Sequence, residues 1–219
     1  MAPKTQSARR QGKGRRQGSE GDSAHQVDKR RHILKHAANL FAETGYAATT
    51  MDMLASVTEM NKASLYYYFD SKQQILFALL RASIGRAVDA AEPALAADSA
   101  SDSILHLIRA GVENMYAQLD ASRIFMQEFP YLTNTLSKEQ FDELMALQRR
   151  YQKIVYLVIN RGVDSGELRP GNVRLLGSLF TIWINAPLTM AEKVDAEQVI
   201  ATLSTLSLGG IEQSPAVKA

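Results

Sequence analysis

Three helix-start signals crowd into residues 49–72: Thr49-Thr50, Asn61 and Asp70-Ser71. Small polar residues of these types favour the position just before a helix, where the side-chain oxygen accepts a hydrogen bond from an otherwise orphaned N–H of the first turn. Such close spacing leaves no room for a long helix, and the residues between the signals do not alternate as a half-buried strand would. They read as short helices: MDMLASV, with Met51, Leu54 and Val57 inward, then KASLYYYF. A longer helix follows from near Lys72, with Ile75, Leu76, Leu79 and Leu80 apolar. Ahead of the cluster, from about Asp28, Ile33, Leu34, Ala37, Leu40 and Phe41 recur at helical spacing, and Gly45 follows as a stop. Two short helices about three residues apart, broken at Thr58-Glu59-Met60 and set behind a longer one, make a helix-turn-helix.

The rest of the chain also reads as helix without a convincing strand, so the expected fold class is all-α. Pro93 ends or kinks the fourth helix. Ser101-Asp102-Ser103 caps ILHLIRAGVENMYAQL, and ASRIFMQEF stops at Pro130. Ser137 opens a long helix that ends near Asp164-Ser165-Gly166. Residues 167–171 connect to VRLLGSLFTIWINAPL, and DAEQVIATLSTLSLGGI is the last helix. The expected organisation is a disordered basic arm (1–26), a helix-turn-helix head (27–80), a larger helical domain (81–211) and a short tail (212–219).

Charge is unevenly placed. Residues 1–36 hold ten Lys/Arg and three acids, which leaves the other 183 residues at −5 in a chain of +2. A basic front end on an acidic body points to a polyanion met by the front end. The arm is rich in Gly, Ser, Gln and Arg and cannot bury enough surface to offset ordering entropy. A role in non-specific DNA affinity suits it better than groove reading. Cys is absent, which fits a reducing cytoplasm. No run of about 18 apolar residues suggests a membrane span, and the basic N-terminus has no apolar stretch of a signal peptide.

The four consecutive aromatics of residues 66–69 find a place on a short recognition helix. Leu65 and Phe69 are i,i+4 and share a core-facing side, while Tyr66, Tyr67 and Tyr68 fan outward, able to offer hydroxyls to phosphates. Lys72 lies in the first turn of the following helix, whose free N–H groups favour an anion. Residues 45–76, GYAATTMDMLASVTEMNKASLYYYFDSKQQIL, resemble the TetR family of one-component transcriptional regulators. The shared pattern is a Gly-aromatic pair, a Thr, an apolar-Ala pair (Leu54-Ala55), a turn, and Leu-Tyr-x-His/Tyr-Phe-x-x-Lys. The resemblance implies that Thr50 touches phosphate and that Lys62, Ala63 and Ser64 face base edges in the major groove. It implies that Tyr66, Tyr67 and Lys72 contact the DNA backbone, with Tyr68 where His is common. Two departures stand out: Ala63 replaces a common Gly, and the turn carries Thr58-Glu59-Met60 instead of Ala-Gly-Val. Glu59 at positive φ would cost about 1–2 kcal/mol, so the expectation is a turn of different backbone.

Catalytic constellations are lacking: no Ser-His-Asp arrangement, Gly-rich phosphate loop or metal cluster is evident, so neither an enzyme nor a cofactor is expected. His32 and His36 have metal-ligand spacing, but without a third ligand they read as part of a solvated basic face. For the body, the resemblance implies a homodimer through the last two helices, about 172–189 and 195–209, and a pocket for a small hydrophobic effector. Candidate lining residues are Met115, Tyr116, Phe125, Met126, Phe129, Tyr156 and Trp183, with Arg109, Asn114, Gln118 and Asn185 as polar anchors. A fatty acid, aromatic acid or acyl-thioester fits such a lining. The long helix, its connector and Trp183-Ile184-Asn185 loosely resemble acyl-CoA-responsive members. Alternatives at this stage are a ligand-independent architectural DNA binder and a helical small-molecule-binding protein.

Overall fold

The computed structural model describes residues 18–211. Among them there are helices and turns but no strand. The head comprises α1 (Gly18–Thr44), α2 (Met51–Val57), α3 (Lys62–Tyr68) and the start of α4 (Lys72–Ala91). The body follows with α5 (Ala100–Ala117), α6 (Leu119–Glu128), α7 (Leu132–Thr135), α8 (Lys138–Ser165), α9 (Val173–Asn185) and α10 (Ala196–Ile211).

Each short head helix begins where its polar residue stands. Thr50, Asn61 and Ser71 accept hydrogen bonds from the N–H of Met53, Ser64 and Gln74. In the body, Ser137 and Gln140 form a reciprocal capping box, and Gly166 ends α8 at φ 79°, the left-handed conformation glycine adopts without strain. One cap differs from expectation. α5 starts two residues earlier, on Ser99, whose oxygen accepts from the Asp102 N–H, while Ser103 is buried and donates back to the Ser99 carbonyl.

The expected disorder to residue 26 is also corrected in part. α1 is helical from Gly18, and the remaining arm residues 1–17, like the tail 212–219, lie outside the described residues. The composition argument concerns burial, yet His25 to Lys29 are helical while exposed. Extending an existing helix adds one bond per residue and needs no new nucleus.

Two apolar cores stack along the molecule. The first joins Ile33, Ala37 and Phe41 of α1, Leu54 of α2, Leu65 of α3, Phe69, and Ile75 and Leu76 of α4. It also includes Ala121 and Ile124 of α6 and Leu144 of α8, so body helices complete the head's core. The second gathers Val88, Leu107, Ile108, Val112, Ile154, Val158, Phe180 and Ile184 from α4, α5, α8 and α9. α4 passes through both.

Candidate nucleic-acid interface

The turn between α2 and α3 sets the angle at which α3 is presented. Glu59 sits at φ 54°, in the left-handed region. The Met60 N–H bonds to the Ala55 carbonyl at 2.9 Å and the Glu59 N–H to the Ser56 carbonyl at 3.1 Å. This is the paired pattern of a helix ending with a left-handed residue just beyond its cap. The turn therefore keeps the backbone that glycine would favour, contrary to expectation, and Glu59 carries the strain. Thr58 is buried beneath it, its hydroxyl bonded to the Leu54 carbonyl at 2.7 Å.

α3 then shows two sides. Leu65 and the capping residue Phe69 are fully buried. Tyr66 is exposed, Tyr67 is 72% exposed, and Tyr68 leans on the core with its ring edge-on to Tyr67 at 5.1 Å. Lys62 and Ala63 at the exposed start of α3, with half-buried Ser64, complete the outward side. Lys62 is held by Asp52 of α2 at 2.7 Å, and that hydrogen bond and attraction push its pKa upward. Asp52 thus parks the lysine in the free protein. Thr50 is exposed, with its hydroxyl oxygen engaged as a cap.

Lys72 does not hang free beside a helix start. Its Nζ donates to the carbonyls of Tyr46, Ala47 and Thr49 at 2.9, 3.0 and 2.8 Å and lies 4.6 Å from the Tyr46 ring centroid. It clamps the loop that feeds α2. In the free protein its three protons thus already have carbonyl partners, which a phosphate would have to displace. Burial raises the Tyr46 pKa, with a further push from Glu128 at the end of α6. The Glu128 carboxyl is likewise raised by burial, against the opposing pull of Lys72.

Three α1 residues support this unit. Arg30 donates to the Tyr68 carbonyl at the end of α3 and lies over the Phe69 ring at 4.1 Å. His32 Nε2 contacts the Thr58 carbonyl at 3.3 Å, so it is a tether and not merely part of a solvated face. Gln26 reaches the Tyr67 hydroxyl at 3.5 Å. Gln26, Arg30, Ile33 and Ala37 fall at i, i+4, i+7 and i+11, a series that marks one helix face in the sequence.

Residues 33–79 match the family model described as bacterial regulatory proteins, tetR family, and residues 97–186 match that of a tetracyclin repressor-like C-terminal domain. The chain belongs to the TetR family. Among TetR relatives, the HTH-type transcriptional repressor KstR2 of Rhodococcus jostii is 28% identical over 152 residues, covering 68% of this chain and 72% of KstR2. The biofilm operon regulator IcaR of Staphylococcus aureus is 51% identical over 43 residues, 20% of this chain and 23% of its own. The crystal structure of the TetR regulator PfmR from Thermus thermophilus superposes with a TM-score of 0.76 at 28% identity, covering 83% and 96% of the two chains. These proteins are transcriptional regulators, not enzymes. No helix among the described residues is long and apolar enough to cross a membrane.

The TetR-type body scatters the candidate effector residues. Met115, Phe125 and Met126, with Asn114 and Asn185, line a cavity of about 100 Å³ between α4, α5, α6, α8 and α9. Tyr151 also lines it, and burial pushes its phenol up to about 12. The other six candidates stand elsewhere. Tyr116 donates its hydroxyl to the Val194 carbonyl and, with Gln118, lines a separate cleft beside α1. Arg109 is exposed and bridges Glu113 and Glu197. Phe129 is exposed at the end of α6, edge-on to Phe125. Tyr156 lines an open groove between α8 and α9, and Trp183 is 42% exposed on α9. Sequence reading missed the small residues that open the cavity, Ser83, Ala87, Gly111 and Ser122.

Proposed function

We propose that this TetR-family chain reads a palindromic DNA site as a dimer and releases it when a small hydrophobic effector enters the body. The carrying observation is the two-sided α3. Its buried Leu65, with the adjoining Phe69, fixes the helix, while Lys62, Ala63, Ser64, Tyr66 and Tyr67 turn outward as one contact strip. Lys62 exchanges Asp52 for DNA, Thr50 and the tyrosines touch backbone, and Lys72 acts indirectly by holding the α2 entry loop.

Pairing is supported by α9. Leu175, Leu179 and Ile182 lie at i, i+4 and i+7 and are all exposed, Ile182 at 61%, with Trp183 beside them. An apolar helix face of this kind suits a permanent interface, and two heads on one two-fold axis read two half-sites.

The effector reading is supported by the cavity's Met, Phe and Ile lining with a few amides, which suits an apolar molecule with one polar end, such as a fatty or aromatic acid or an acyl-thioester. Sites for such molecules usually enclose about 300–1,000 Å³, so binding must widen the cavity. α6 is the wall in question: Ser122, Phe125 and Met126 face the cavity while Ala121 and Ile124 sit in the head's core. Widening would displace α6 and with it the packing beneath α1 and α4. DNA affinity would fall by the effector's preference for the widened state, about 1–3 kcal/mol.

Selection of bound sites from random DNA tests the reading. Wild type should enrich a palindrome, and Tyr66→Ala/Tyr67→Ala should lose it while remaining folded. Failure of folded wild type to enrich any sequence would refute specific reading and favour an architectural binder.

A further inference from the structure

A cleft of about 390 Å³ lies between the head helix α1 and the corner where α4, α5 and α6 meet. It is distinct from the body cavity, sharing none of its lining residues. Arg31 and Lys35 enter from α1 and Arg86 from α4, against one acid, Asp120, in the lining. Asp120 is engaged by the Asn39 amide at 3.0 Å once that amide is oriented to satisfy its neighbours. Arg31 is bonded to Asp28 at 3.1 Å, an exposed pair that dissociates at small cost.

Arg86 is the distinctive member. Its guanidinium donates to a neutral partner, the Gln118 carbonyl, and burial lowers its pKa. A partly desolvated cation satisfied by an amide gains strongly from an anion at hydrogen-bonding range. The same Gln118 donates its amide to Asn114 at 2.6 Å, and Asn114 lines the body cavity. A relay Arg86–Gln118–Asn114 therefore joins cleft to cavity.

We propose that this cleft is a second ligand site, for a compact phosphate-bearing anion. The anion is held by Arg86 and Lys35 with Arg31 at the rim, and so ties α1 of the head to α4 and the α5–α6 corner. Taking Arg86 frees Gln118 and thereby reaches the cavity wall through Asn114. The site stands on the cleft's own geometry, whether or not the DNA and effector readings hold. A groove lined by Arg149, Lys153 and Arg174 is the rival cation set. It borders the exposed α9 face, where a partner subunit would cover it.

Calorimetric titration of the full chain with pyrophosphate at low ionic strength decides the matter, because it needs neither operator nor effector. Saturable binding at one site per chain is expected, weakened about tenfold in Arg86→Gln/Lys35→Gln, two exposed positions whose change leaves the melting temperature in place. Arg149→Gln/Arg174→Gln should bind as wild type. The proposal is overturned if saturation is absent up to about 1 mM pyrophosphate. It is also overturned if the first variant binds unchanged, or if the loss follows the second variant. If orthophosphate matches pyrophosphate, the bound group is a single phosphate; preference for pyrophosphate indicates a diphosphate-bearing molecule.

Discussion

In the head, bonds between residues three to five apart set where each element starts and stops: Thr50 to Met53, Asn61 to Ser64, Ser71 to Gln74, Ala55 to Met60. In the body, local caps also start helices, but what sets one helix against another comes from far along the chain. Glu167 accepts from the Ala100 N–H, Arg161 reaches the Ser103 hydroxyl, Tyr116 bonds to the Val194 carbonyl, and Arg123 pairs with Glu192. The head is thus specified by short-range chemistry and tightened by a few longer clamps. The body is specified by packing, and a cavity is what packing leaves behind. A reading surface gains from local rigidity, whereas an effector site gains from a fold whose helices can shift.

Four measurements break or sharpen that contrast. The largest effect belongs to the head's three-carbonyl clamp. Lys72→Met leaves three carbonyls without their shared donor and should destabilise the chain by about 3 kcal/mol in chemical denaturation. A loss below about 0.5 kcal/mol would show that the loop holds itself.

Next comes Tyr151 in the body. Its folded pKa, near 12, lies above the unfolded value of 10.0. Its protonated form is therefore the one the fold tolerates: stability is full below pH 10 and falls as pH rises through 12. The loss is about 2–3 kcal/mol, and Tyr151→Phe should flatten that part of the profile.

Gly162→Ala probes long-range packing directly. A Cβ there would meet Leu168 at 2.6 Å and Ala100 at 2.7 Å, so a cost of about 2 kcal/mol is expected. An unchanged melting temperature would mean the body is more yielding than its packing suggests.

The smallest effect is a gain. Glu59→Gly removes the left-handed strain and should stabilise by about 1 kcal/mol, after the added freedom of the unfolded chain is subtracted. A loss would mean the Glu59 side chain contributes more than its backbone costs.

The contrast also explains what could be read from residues alone. MDMLASV and a start of α4 near Lys72 were legible, because their caps lie beside them in sequence. Lys72 was recognisable as a functional cation, but its three carbonyl partners come from a loop more than twenty positions away. Arg30 and His32 support the unit through contacts across more than twenty positions; the face periodicity of α1 hinted at Arg30, and nothing beside His32 in the sequence marked it. In the body, Met115, Phe125 and Met126 were separable from Tyr156 and Trp183 only once α5, α6, α8 and α9 were placed around one cavity. Helical spacing says which residues share a face, not which face meets a void.

The central claim is that α9 pairs two chains so that two α3 strips meet one DNA site. Sedimentation velocity on a duplex carrying the selected palindrome tests it most directly. Two chains per duplex are expected for wild type, and Leu179→Glu/Ile182→Glu should sediment as a folded monomer with DNA affinity reduced by at least about tenfold. A single wild-type chain per duplex, or a charged-face variant that still binds as a pair, would contradict the account.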